Sequence, residues 1–140
     1  MPGEGPCLYR IEIYNSKTMN SVETTVLYRP VGQKELDLIV DSDFEAFPPR
    51  LEWQPIFYPV LNEEYATFIA REWNTKDAAS GYVGYVTRFA VRSEFLAEFD
   101  AQKVGGATAL ELWIPAERLE EFNRNIVGKI EVLSTYRGAS

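Results

Sequence analysis

Short runs of β-branched and aromatic residues alternate along this chain with segments of helical period, and proline or glycine stands at most of the joins. That pattern admits few folds, because each run must bury one face against a neighbour of the other kind. TTVLYRPV (24–31) is a β-type run stopped by Pro30 and Gly32, and QKELDLIVDSD (33–43) sets Leu36, Ile39 and Val40 at helical spacing before Pro48-Pro49. IFYPV (56–60) is a strand that Pro59 confines to an edge or breaks. NEEYATFIAREWN (62–74) is the clearest helix: Asn62 fits the N-cap, Glu63 and Glu64 favour the first turn, and Tyr65, Ala66, Ile69, Ala70 and Trp73 form one stripe. YVGYVTRFAV (82–91) is the strongest strand, and Ser93 caps a short helix, EFLAEF. LELWI (110–114) alternates, with Leu110, Leu112 and Ile114 on one face and Glu111 and Trp113 on the other. Pro115 opens a helix carrying Leu119, Phe122, Asn123 and Ile126, which Gly128 closes, and KIEVLSTY (129–136) is a final strand.

Strict alternation of strand and helix suits a parallel doubly wound sheet, but these strands are short, half-alternating and aromatic rather than continuous Val/Ile runs. The expected class is therefore α+β: a mixed, mainly antiparallel β core of short strands with flanking helices. Residues 25–140 read as a single domain. Residues 1–24 read as an N-terminal extension, in which Tyr9, Ile11 and Ile13 share one face of an extra strand if the segment is ordered.

Composition removes several classes of function. Fourteen basic against 21 acidic side chains give a net charge of −7, which argues against nucleic-acid or anionic-membrane binding and suits a basic partner. The absence of histidine eliminates His-dependent triads and metal sites. A single cysteine, Cys7, forms no intramolecular disulfide and suggests a reducing compartment, with the cytoplasm as the expected location. No apolar run approaches the length of a membrane span. Three Trp, eight Tyr and eight Phe suffice to fill a core and still line a pocket. No acidic cluster has the spacing of a calcium loop, so no metal site is expected.

Three places carry residues suited to chemistry. Tyr28-Arg29 closes a strand, where the guanidinium can offer a fork of donors to a phosphate or carboxylate, or can simply be a surface arginine. Tyr58 stands just before Asn62 at a helix start, placed to stack on a flat ring or hold an anion, with a core tyrosine and an ordinary cap as the plainer reading. Glu111 lies in mid-strand beside Trp113 and either faces solvent or lines a cleft.

Taken together, LYRPVG, IFYPVLNEEYATFIAREWN, GYVTRFAV, ELWIPAERLEEFN and GKIEV resemble a group of short bacterial proteins loosely labelled "ADP-ribosylation/crystallin J1", whose arrangement looks like the ADP-ribosyltransferase fold. The resemblance implies an ADP-ribosyltransferase-like domain that binds NAD or a related nucleotide and transfers ADP-ribose to an acceptor. It implies Glu111 as the catalytic carboxylate under the ribose, Arg29 on ribose or pyrophosphate, and Tyr58 on the nicotinamide, with Tyr28, Asn62 and Trp113 completing the cofactor site. Pro30 departs from the family pattern by lacking the N–H that relatives offer to the nicotinamide amide. Ala109 stands where the arginine-modifying branch has Glu or Gln, and Tyr58-Pro59-Val60 replaces its Ser-Thr-Ser. Two other readings stand beside this one: a non-enzymatic acidic binding or immunity-type protein, and a homodimer formed through exposed aromatics such as Trp53.

Overall fold

Strand β3 (Val83–Arg92) is paired on both sides, antiparallel to β1 (Thr24–Val31) and to β7 (Ile126–Arg137), and helices pack on both faces of that three-stranded sheet. The computed structural model describes residues 22–138, so the extra strand expected around Tyr9, Ile11 and Ile13 lies outside the described residues. Between these strands come α1 (Gln33–Asp41), β2 (Ile56–Phe57), α2 (Glu63–Glu72), α3 (Ser93–Leu96), β4 (Gln102–Lys103), β5 (Leu110–Glu111), β6 (Ile114–Pro115) and α4 (Leu119–Arg124). All the ladders among the described residues are antiparallel, β2 with β6 and β4 with β5 included, and the class is α+β.

The alternation of β3 decides what covers each face. Val83, Tyr85, Phe89 and Val91 join an aromatic core with Phe47, Phe57, Phe95 and Phe122, under α1, α3 and α4. On the other face Val86 meets Val60, Ala66 and Ala70 of α2, with Tyr28 and Tyr65 packed beside them. The small residues there are required. A Cβ at Gly84 would lie 2.5 Å from the Ala70 carbonyl oxygen and 2.7 Å from its Cα, so α2 rests directly on the strand backbone.

Several sequence expectations changed length for identifiable reasons. The run 110–114 is two pieces: Glu111 pairs with Gln102, whereas Ile114 pairs with Phe57. The run 56–60 keeps only Ile56–Phe57 as a strand, because Pro59 interrupts the ladder before Val60 bridges both Tyr28 and Glu111. The helix after Pro115 starts as a turn of 3-10 helix and ends at Arg124, since Ile126 is drawn into pairing with Val91. Gly128 therefore sits inside β7, at φ 84°, where the β3–β7 register slips, rather than closing a helix. Helix α1 buries Ile39 and packs Leu36 but leaves Val40 exposed. On α2 the stripe holds through Ala70, while Trp73 turns out to solvent.

The α2 contact gives a direct test. Gly84→Ala is expected to destabilise the domain by about 1–3 kcal/mol through overpacking, whereas Gly106→Ala, with open space around it, should be close to neutral. Urea unfolding measures both, and equal effects at the two sites would contradict the packing described.

Candidate functional site

Strand pairing places Tyr28, Val60 and Glu111 across from one another, so their side chains share the face covered by α2. Arg29, one residue along, faces the α1 side. The sequence expectation that Arg29 and Glu111 present their charged groups to one ligand is therefore met only in part. Both residues line one cleft of about 410 Å³, together with Tyr58, Tyr65, Trp73 and Trp113. Their functional groups, however, point apart.

The Arg29 guanidinium has three of its five N–H donors engaged on its own side. Its Nε donates to Glu35 Oε2 at 2.7 Å and its Nη2 to Glu35 Oε1 at 3.0 Å, a bidentate pair, and Nη1 donates to the Tyr58 carbonyl at 3.1 Å. Beneath it lies the Phe57 ring, with the guanidinium carbon 4.6 Å from the centroid. Only a tenth of the Arg29 side chain is exposed. The arginine ties the end of β1 to α1 and to the segment after β2, and a ligand would have to displace Glu35 to receive the fork.

Glu111 is arranged differently. Trp113 Nε1 donates to its Oε1 at 2.8 Å, and the Tyr65 hydroxyl donates to its Oε2 at 3.4 Å. No cation among the described residues pairs with it. Tyr58 and Trp113 meet edge to face at 6.4 Å between centroids, and Trp73 leans toward Phe68 at the cleft rim. The result is a carboxylate held by two neutral donors and surrounded by aromatic faces. Such a cleft suits a flat or hydroxyl-bearing group, and a positively charged one best.

The remaining expected site residues are near but outside this lining. Tyr28 packs under α2 against Val60 and Val86. Asn62 caps α2, accepting from Tyr65 N–H at 2.7 Å, and its amide donates to the Thr108 carbonyl at 2.6 Å. That link fixes the height of α2 over β5, so Asn62 positions Tyr65 rather than meeting a ligand. Sequence reasoning missed Tyr65, read as a core-stripe residue, and Glu35, the partner that removes Arg29. Glu35 lies six residues after Arg29, across the turn at Gly32, a spacing that signals a pair only once the strand-turn-helix junction is known. Among the described residues no group of acidic or cysteine side chains fits a metal ion, and no helix is long and apolar enough to cross a membrane.

Burial raises the Tyr65 hydroxyl above its ordinary pKa of 10.0, and the Glu111 charge and hydrogen bond raise it further. A raised folded-state value means that Tyr65 contributes stability below its unfolded pKa, which is lost as pH rises through the folded one. The phenolate absorbance titration of wild type minus Tyr65→Phe should give a midpoint above 10.0, and Glu111→Gln should lower that midpoint without erasing the burial effect. A midpoint indifferent to Glu111→Gln would contradict the contact.

Compared with known proteins, the chain matches no family model and no curated sequence.

Proposed function

We propose that the aromatic cleft is the ligand site of an ADP-ribosyltransferase-like domain, taking the nicotinamide-ribosyl half of NAD or a related nucleotide. One observation carries this reading: the Glu111 carboxylate, held by Trp113 and Tyr65, stands among four aromatic side chains in a cleft of about 410 Å³. The nicotinamide ring of NAD is flat and positively charged, so it meets both the aromatic faces and the carboxylate favourably. The cleft volume falls within the ordinary range for small-molecule sites. The resemblance of the LYRPVG, FYPVLNEEYA and ELWIP segments to that fold supports the same conclusion.

The chemistry follows from the carboxylate. When the nicotinamide–ribose bond breaks, nicotinamide leaves with the bonding electron pair and positive charge develops on the ribose carbon. A carboxylate beneath that carbon stabilises it until an acceptor oxygen or nitrogen bonds there and gives its proton to solvent. Glu111 fills that role in the proposed reaction. Arg29 lines the cleft, but its fork is bonded to Glu35 and it braces the cleft wall through the Tyr58 carbonyl. The single cysteine keeps the cytoplasm as the proposed setting.

A second reading has its own support. Because the Arg29 fork is spent on Glu35, the aromatic cleft offers no cation for a pyrophosphate. A lysine or arginine side chain of a basic partner would fit the carboxylate and rings equally well, in a non-enzymatic acidic binding protein of immunity type.

Charge on the ring separates these cases. NAD and nicotinamide riboside should raise the melting temperature more than their reduced, uncharged-ring counterparts. Glu111→Gln should weaken binding about tenfold, or about 1.4 kcal/mol, and abolish that preference. Nicotinamide release, followed separately, reports whether transfer occurs. Equal binding of oxidised and reduced forms, or undiminished binding by Glu111→Gln, would overturn the nucleotide reading. A shift with a lysine-rich peptide and none with nucleotides would select the second.

A further inference from the structure

On the α1 side of the same strand end lies a second cavity, of about 320 Å³, with the opposite electrostatic character. Its lining brings together Arg29, Lys34 and Arg50 against Glu35 and Asp77, an excess of cations in a chain whose net charge is −7. Among the described residues, only one of the two carboxylates is paired with a cation. Glu35 holds Arg29, and Asp77 accepts from Ala79 N–H at 3.1 Å and from the Ser80 hydroxyl at 2.9 Å.

Arg50 and Lys34 have no acidic partner among the described residues. Arg50 Nε donates to the Ile56 carbonyl at 3.0 Å, which anchors the side chain but neutralises nothing. Its guanidinium carbon lies 5.9 Å from the centroid of the Phe57 ring over which Arg29 also sits. Half-burial, and then the Arg29 charge, push the Arg50 pKa below its usual value. Two guanidinium groups thus flank one cavity wall, and only that of Arg29 is bonded to a carboxylate.

The first turn of α1 adds donors at the same wall. Gly32 N-caps the helix with no side-chain hydrogen bond. It has no freedom to be a Ser or Asp, because a Cβ there would lie 2.6 Å from Ser80 Cα. The opening N–H groups of a helix lack intrahelical partners and carry its positive end.

We infer that this cavity binds a phosphate group, free or carried by a small metabolite, with Arg50 as the principal ligand and Lys34 and the first turn of α1 completing the site. Donors converging from separate side chains and backbone suit a tetrahedral dianion better than a planar carboxylate, which one arginine satisfies alone. Nothing in this inference depends on the aromatic cleft, and its test uses no nicotinamide ligand.

Calorimetric titration with inorganic phosphate, in chloride of matched ionic strength, is expected to show saturable binding by the full chain. Arg50→Gln should weaken it about tenfold or more, and Lys34→Gln, at an exposed position, should weaken it less. Lys103→Gln, remote from the cavity lining, should leave it unchanged. The ligand-free melting temperature of Arg50→Gln is expected to hold or rise, as the repulsion from Arg29 is relieved; if that variant failed to fold, Lys34→Gln would still decide the question. Adenosine monophosphate binding more tightly than phosphate, with adenosine silent, would mark a nucleotide as the carrier, and equal binding would mark free phosphate. Absence of phosphate binding by the wild type, or binding unchanged in both cavity variants, would overturn the inference.

Discussion

The commitment of the Arg29 guanidinium to Glu35 organises the ligand-accessible half of this domain. It joins the end of β1 to the first turn of α1, and through the Tyr58 carbonyl it reaches the chain between β2 and α2. With side-chain exposures of 10% and 21%, neither charge is free in solvent. Removing one partner of a buried pair typically costs about 3–5 kcal/mol because the other charge is stranded. Arg29, Pro30 and Asn74 line both the aromatic cleft and the cationic cavity and mark the separation between them.

That separation sorts the chemistry by charge. On the α2 face a lone carboxylate is held by neutral donors among aromatic rings, so its negative charge is available to a ligand. On the α1 face only Glu35 is paired with a cation among the described residues, and three cations stand against two carboxylates. A chain with a net charge of −7 thus carries one site suited to positive charge and another suited to negative charge, a few residues apart along β1. The helix dipole at the α1 N-terminus reinforces the second, while the rim aromatics Trp73 and Trp113 reinforce the first.

Much of the fold was legible because the deciding signals are local. The β1 run, the Asn62 cap with its stripe through Ala70, and the start of β3 after the Gly81 turn all follow from a few neighbouring residues. The misses are tertiary in origin. Whether 110–114 is one strand or two depends on partners at Gln102 and Phe57, and the end of α4 depends on Val91 claiming Ile126. At the site, Glu111 and Trp113 were recognisable from alternation along the strand, and the structure keeps them in contact. Tyr65 approaches Glu111 across 46 residues of sequence, so periodicity could place it on α2 but not over a carboxylate. Arg29 was legible as a fork of donors open to a phosphate or carboxylate, or as a surface arginine; that the fork closes on the protein's own Glu35 depended on the turn at Gly32.

Arg29 works within the fold, held by Glu35, rather than on a ligand. A double-mutant cycle of Arg29→Met and Glu35→Met, read by urea unfolding without ligand, tests this most directly. The pair should show a coupling of about 0.5–3 kcal/mol, with the double variant markedly less destabilised than the sum of the single ones. Additive effects, with both single variants near wild-type stability, would show that Arg29 is not held by Glu35 and would return its guanidinium to the ligand cleft.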